Sequence, residues 1–175
     1  MVSLTFMFWL FIILFGIIGG MRGWAKELLV LFSVILTMAL NTLLAKYVPI
    51  ISTLDATSSA RFWIRSIILI VLVFFGYQTV ALPRFASKAA REKLQDILLG
   101  FILGSVNGYL VIGSIWFYLH EASYPFAYIQ PPVKGTELGD AALALIPFLG
   151  PHLLGEPGIY FAVILAFVFV MVVFI

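Results

Sequence analysis

Two long apolar runs lie close together near the start of the chain, and a short charged segment separates them. The runs cover residues 4–20 and 28–45, and neither contains a charged residue. Each has nearly the ~20 consecutive apolar residues that a helix needs to cross the hydrocarbon core of a bilayer. Because the segment between them is short, we expect the two runs to form a tight transmembrane hairpin, with residues 22–27 at one membrane face.

The composition of the whole chain requires the same environment. Hydrophobic residues make up 63% of the 175 residues and charged residues only 10%, and the mean hydropathy is +1.16. A soluble domain carries about 25% charged residues, so we expect the lipid bilayer to be the first partner of this chain. The net charge of +2 is spread over short connections, which indicates membrane topology and no nucleic-acid partner.

Five apolar segments follow one another along the chain, at residues 4–20, 28–45, 62–82, 97–119 and 159–175. They predict an all-α fold, a polytopic integral membrane bundle of four to five transmembrane helices arranged in hairpins. The last segment is at the lower limit of length for crossing a bilayer. A short fifth span is favoured there over a tilted interfacial helix or a helix buried in a larger assembly.

The segments divide the chain into three units: a four-helix membrane domain at residues 1–119, a connecting loop at 120–158 and a C-terminal apolar helix at 159–175. The loop is rich in proline, glycine and acidic residues, and we expect a short helix near residues 138–148. Loops of this length usually have a function. This loop is therefore the candidate for contact with a partner.

Lysine and arginine residues near the helix ends predict the orientation of a membrane protein. The connections after the first and third segments carry six of them, and the other two connections carry four. This bias places the connections after the first and third segments in the cytoplasm. The N-terminus and the 120–158 loop then lie outside it. Alanines and i,i+4 charges in residues 84–96 predict a further helix, lying either at lipid headgroups or in solvent.

Glycines recur every fourth residue in the fourth segment. Gly100, Gly104 and Gly108 form one smooth stripe, and small residues of this kind let helices approach closely in lipid. The stripe predicts a helix–helix contact, either within the bundle or between two copies of the chain. Its simplest partner is a similar set in the first helix, which consists of Gly16, Gly20 and Gly23.

Two polar side chains accompany the stripe. Asn107 lies beside it, and we expect its amide to hydrogen-bond to another helix. Asp96 opens the same helix on the side of the membrane where Arg22 lies. Arg22 needs an acidic partner, which Asp96 or Glu27 can supply, and we expect an Arg22–Asp96 ion pair between the two hairpins. The alternative is that these charges only anchor helix ends among lipid headgroups.

The sequence contains no pattern typical of an enzyme or of a cofactor site. Cysteine is absent, which excludes disulfides, thiolate metal sites and cysteine nucleophiles. His152 and Glu156 have the spacing of a metal pair on a helix but no third ligand, and His120 as a tetrapyrrole ligand is equally disfavoured. We therefore expect no catalytic residue, no metal and no cofactor. Arg65 lies at the very start of the third segment and is counted with the connection before it, so no charge falls in the middle of a predicted span, which disfavours a transporter.

The charged segment and the glycine stripe together resemble a known family. The run Arg22-Gly23-Trp24-Ala25-Lys26-Glu27-Leu28 resembles the arginine-glycine, aromatic, basic-glutamate signature of the colicin V production protein (CvpA) family. Asp96 followed by the stripe resembles the second signature of that family, and the resemblance extends over about residues 1–120. The chain departs from the family pattern where Thr5, Ile97 and Asn107 stand in place of charged residues.

The resemblance implies an integral protein of the bacterial inner (cytoplasmic) membrane without known catalytic activity, linked to toxin or bacteriocin production or export and to envelope homeostasis. It also implies four spans, so that the fifth segment is an addition. The first alternative is an accessory subunit of a larger membrane complex, respiratory or photosynthetic. The second is a small channel or transporter, with a polar cavity lined by Gln78, Ser105, Asn107 and Ser114. A homo-oligomer is compatible with each of these functions.

Overall fold

The computed structural model describes residues 3–78 and 93–174, and every regular element in these two stretches is helical. The α-helices are α1 (Leu4–Arg22), α2 (Trp24–Tyr47), α3 (Pro49–Ser52), α4 (Ser59–Tyr77), α5 (Lys93–Glu121), α6 (Glu137–Leu145), α7 (Gly150–Leu153) and α8 (Gly158–Phe174), with a 3-10 turn at Ile146–Phe148. Four of them, α1, α2, α4 and α5, are long and apolar enough to cross a membrane. The predicted all-helical membrane bundle is thus confirmed.

The charged segment between the first two runs belongs almost entirely to helices. α1 continues to Arg22 and α2 begins at Trp24, so that Gly23 alone separates them. Gly23 has φ +88°, a left-handed conformation that glycine adopts at little cost. This single residue reverses the chain and makes the hairpin tighter than the predicted six-residue turn.

α1 and α5 pack antiparallel along the predicted glycine stripe. A Cβ atom added to Gly104 would lie 2.9 Å from the Cα of Gly19, and one added to Gly108 would lie 2.7 Å from the Cβ of Phe15. The backbones therefore approach as small residues allow in lipid. Gly19, which was not among the expected partners, makes the closest backbone approach, and the stripe is used within the chain.

α2 occupies the centre of the bundle. It packs against α4, α5 and α8, and Val30 and Val34 of α2 are fully buried together with Leu69 of α4. The outer faces of the long helices are apolar and exposed, as at Trp9, Ile13, Trp63 and Phe74. Such a surface is suited to lipid and not to water.

The predicted fifth span is α8, and it runs antiparallel to α2. Lys46 and Glu156 form an ion pair of 2.9 Å near one end of the two helices, and the rings of Phe32 and Phe167 lie 6.5 Å apart further along. α8 has 17 residues, so its crossing of the membrane stays a prediction. The expected short helix near 138–148 corresponds to α6 and the 3-10 turn. Of the expected helix at 84–96, residues 84–92 lie outside the described residues, and 93–96 form a turn of α5.

Candidate functional site

A buried polar cluster lies at one end of the bundle, where α1 ends and α2 begins. We call this end the Arg22 end and the cluster the Arg22 cluster; it comprises Arg22, Glu27, Tyr77, Asn107 and Asp96. These residues come from α1, α2, α4 and α5. The cluster therefore brings the predicted charged segment and the predicted second signature together with the end of the third long helix.

Glu27 is the centre of the Arg22 cluster. Its side chain is fully buried, and one carboxylate oxygen accepts a hydrogen bond of 2.5 Å from Nη1 of Arg22. The other accepts a hydrogen bond of 2.9 Å from the amide of Asn107, and that amide also donates to the backbone oxygen of Glu27 at 2.9 Å. A carboxylate can be buried when it is paired and hydrogen-bonded in this way. Glu27 thus links α1, α2 and α5.

Arg22 extends the same network to α4. Its Nη2 donates to the backbone oxygen of Tyr77 at 3.1 Å, and its guanidinium carbon lies 4.4 Å from the centre of the Tyr77 ring. The last carbonyls of a helix have no partner within the helix, and the aromatic face attracts a cation. Arg22 therefore satisfies the end of α4 and completes a contact among four helices.

The expected Arg22–Asp96 ion pair is wrong. Asp96 instead accepts a hydrogen bond of 3.1 Å from the backbone N–H of Trp24, the first residue of α2. Free N–H groups and the positive end of the helix dipole both favour an acid at that position. Arg22 pairs with Glu27, which lies in the first turn of α2. A side chain on Gly23 would meet the Asp96 carboxylate, because an added Cβ would lie 2.8 Å from Oδ2.

The remaining predicted residues lie in different surroundings. Lys26 is exposed and lies outside the cluster. Asn107 makes the expected contact with another helix, and its Oδ1 is buried without a hydrogen-bond partner. The four residues expected to line a polar cavity do not share one environment. Ser105 lies against Gly16 of α1, Ser114 is fully buried and Gln78 is exposed just after α4.

A second polar cluster, which the sequence interpretation missed, lies at the opposite end of the bundle. We call it the Glu121 cluster and this end the Glu121 end; the cluster comprises Arg65, Glu121, Tyr118 and Asn41. Arg65 forms an ion pair with Glu121, and its guanidinium carbon lies 3.9 Å from the centre of the Tyr118 ring. Asn41 donates to the backbone oxygen of Arg65 at 3.1 Å and to the Tyr118 hydroxyl at 3.3 Å.

The placement of Arg65 corrects its assignment to a connection. α4 begins at Ser59, because Ser58 caps it by accepting a hydrogen bond of 3.2 Å from the N–H of Arg61. Arg65 is therefore well inside the helix, and its side chain is only 12% exposed. A serine before the apolar run was the available signal, since serine is a preferred N-cap residue.

A cavity of about 230 Å³ adjoins the Glu121 cluster. Its walls include Arg65, Tyr118 and Glu121, together with Pro151 and Gly155 from the chain after α6. Among the described residues, no group of three His, Asp or Glu side chains could hold a metal ion. Next to the cavity, a hydrogen bond from Lys46 lowers the pKa of Glu156, and a second from Tyr160 acts in the same direction.

These features define a class of protein: a polytopic helical membrane protein whose long helices are joined by a buried charged cluster and a glycine seam. The sequence model of the colicin V production protein family matches residues 4–134. Because the match covers most of the chain, the protein belongs to this family. Searches of curated proteins and of solved structures gave no significant match. The match includes α1 to α5 and ends before α6.

Proposed function

We propose that this protein is a non-catalytic, multi-pass protein of the bacterial inner membrane that supports the production or export of a toxin or bacteriocin and the homeostasis of the envelope. The observation that carries the proposal is the match to the colicin V production protein family over residues 4–134. Both sequence signatures lie in the matched region. The Arg22 end is assigned to the cytoplasm by the distribution of lysine and arginine.

The geometry of the Arg22 cluster supports a structural role for its charged groups. The Glu27 carboxylate accepts hydrogen bonds from Arg22 and Asn107, so its charge is neutralised by protein groups. A carboxylate that acts as a general base or a nucleophile must be able to reach a substrate. Here the acid joins helices, which suits a scaffold on which secretion components assemble.

A complementation experiment tests this function. The gene is deleted from a strain that makes and exports a colicin-V-type peptide, and the peptide is measured in the medium and in the cells. We expect the deletion to lower the exported amount, wild type to restore it and Glu27→Gln to fail. Lys26→Gln is the matched control and restores export, because Lys26 lies outside the cluster. An unchanged exported amount after deletion would overturn the proposal.

A small channel or transporter is the second candidate, and the buried charges favour it. Ionisable side chains within membrane-spanning helices often mark ion or proton pathways, and Glu27 and Arg65 are both of this kind. Fully buried Val30, Val34 and Leu69 separate the two clusters, so a pathway would require the helices to move apart. Proton flux into liposomes that contain the wild type, absent with Glu27→Gln, would support this candidate.

Assembly is tested separately. Mass spectrometry of the protein purified in mild detergent distinguishes a monomer or homo-oligomer from a subunit of a larger complex. A single species supports a scaffold that assembles transiently. A large defined assembly would instead make this chain an accessory subunit, with α8 and the 120–158 connection as the first regions to examine for contacts.

A further inference from the structure

Residues 137–153 follow the region of the family match, and they lie alongside the long helices and not beyond the ends of those helices. This segment comprises α6, the 3-10 turn and α7, and it packs along α5 well inside the bundle. A Cβ added to Gly113 would lie 3.4 Å from Leu149 and 3.9 Å from the backbone nitrogen of Gly150. The Tyr109 hydroxyl donates a hydrogen bond to the backbone oxygen of Phe148. The turn of this segment therefore lies beside the C-terminal half of α5, before the end of that helix.

Two helices give the same depth for this turn. Gly113 precedes Glu121 by eight residues, which is about 12 Å along the helix axis. Met38 of α2, whose Cε would lie 3.2 Å from a Cβ added to Gly150, precedes Tyr47 by nine residues, or about 13 Å. Since the hydrocarbon core is only ~30 Å thick, a turn that lies about 12 Å inside the ends of both helices lies within hydrocarbon.

The backbone of the segment meets the conditions for such a position. Irregular backbone at membrane depth is tolerated where protein buries it or where it lines a water-filled cavity. Leu149 is 1% exposed, and its carbonyl accepts a hydrogen bond of 2.9 Å from the N–H of Leu153. On the return path, Pro151 and Gly155 line the 230 Å³ cavity beside the Glu121 cluster.

The exposed side chains of the segment are polar at its start, at Glu137 and Asp140, and mostly apolar around its turn, where the ring nitrogen of the exposed His152 lies 2.9 Å from the backbone oxygen of Pro147. Phe148 and Leu153 are each 61% exposed, comparable with Ile13 on the lipid-facing side of α1 at 53%. We infer that residues 137–153 form a re-entrant segment that enters and leaves the bilayer at the Glu121 end, with Phe148 and Leu153 in contact with lipid acyl chains. This segment is an addition to the region that the family match covers.

Single-cysteine labelling tests the inference directly, because the chain contains no cysteine. Phe148→Cys and Leu153→Cys are prepared in phospholipid nanodiscs, which expose both membrane faces to water. Ile13→Cys serves as the lipid-facing control, and Lys134→Cys, at an exposed charged position, serves as the aqueous control. Each variant reacts with a charged maleimide and, in a parallel sample, with a lipid-soluble maleimide.

We expect the charged reagent to label Phe148→Cys as weakly as it labels Ile13→Cys. We expect the lipid-soluble reagent to react with Phe148→Cys. Labelling by the charged reagent at the level of Lys134→Cys would overturn the inference, since the residue would then face water. Failure of the lipid-soluble reagent at Phe148→Cys under conditions in which it labels Ile13→Cys would also overturn the inference, because protein and not lipid would then cover the site. Leu153→Cys gives the same test if Phe148→Cys does not fold.

Discussion

The two ends of the bundle share four residue types, but their acidic side chains are buried to different extents. Besides Asp96, the Arg22 cluster contains an arginine, a glutamate, a tyrosine and an asparagine, and the Glu121 cluster consists of these four residue types. In both, arginine pairs with glutamate and lies over the tyrosine ring. The glutamate differs: Glu27 is fully buried, whereas Glu121 is 36% exposed. Burial of the acid therefore decides how strongly each end depends on its charge pair.

The asparagines differ in what they bind. Asn107 donates to the carboxylate of Glu27, whereas Asn41 donates to a backbone carbonyl and a phenol. Hydrogen bonds to charged groups contribute more than those between neutral groups. We therefore expect the hydrogen bonds at the Arg22 end to contribute more to stability than those at the Glu121 end, which adjoins a cavity.

The largest effect is expected from Glu27→Gln. Loss of this charge leaves Arg22 without its acidic partner, and breaking a buried pair by removing one partner costs about 3 kcal/mol or more. The free energy of unfolding is measured by SDS titration in mixed micelles, with Lys26→Gln as the control. Equal stability of Glu27→Gln and wild type would show that the buried pair contributes nothing to the fold.

The next effect compares the two asparagines. Asn107→Leu removes a donor from a charged acceptor and should lower the free energy of unfolding by about 2 kcal/mol, whereas Asn41→Leu should lower it by about 1 kcal/mol. The same titration measures both variants. A larger loss for Asn41→Leu would reverse the proposed order of the two ends.

A smaller effect is expected from Glu121→Gln. The Glu121 carboxylate is 36% exposed, and Arg65, although only 12% exposed, lines the cavity and lies over the Tyr118 ring. Solvent and the ring can therefore accommodate the guanidinium after the acid is removed, and pairs screened by solvent contribute about 1 kcal/mol or less. The loss for Glu121→Gln should therefore be well below that of Glu27→Gln in the same assay. Equal losses at the two ends would contradict the role that burial has in the comparison.

The smallest effect concerns the exposed Lys46–Glu156 pair. The lowered pKa of Glu156 means that its contribution is present above the ordinary pKa of 4.5 and is lost as the pH falls through the folded-state pKa. Glu156→Gln should remove this part of the pH dependence of the melting temperature between pH 6 and pH 3, a range of about 1.5 units on either side of an ordinary glutamate pKa. An identical pH profile in wild type and variant would refute the contribution.

The sequence by itself determined the class of protein. Uncharged runs of nearly bilayer length indicate a helical membrane bundle, because helices satisfy all of their backbone hydrogen bonds internally in lipid. The spacing of Gly100, Gly104 and Gly108 determined one face of α5, because residues four apart lie on one side of a helix. The charged segment and the glycine stripe also indicated the colicin V production protein family, to which the sequence match assigns the chain.

Tertiary structure alone decided which charged groups meet. Whether Arg22 pairs with Asp96 or Glu27 depends on the single-residue break at Gly23, which places Asp96 at the start of α2 and Glu27 inside the bundle. The depth of residues 137–153 was equally hidden, since proline, glycine and apolar residues suit both an external loop and a re-entrant segment. Hydropathy measures how apolar a stretch is, whereas the inferred depth of this segment rests on its packing against Gly113 and Met38.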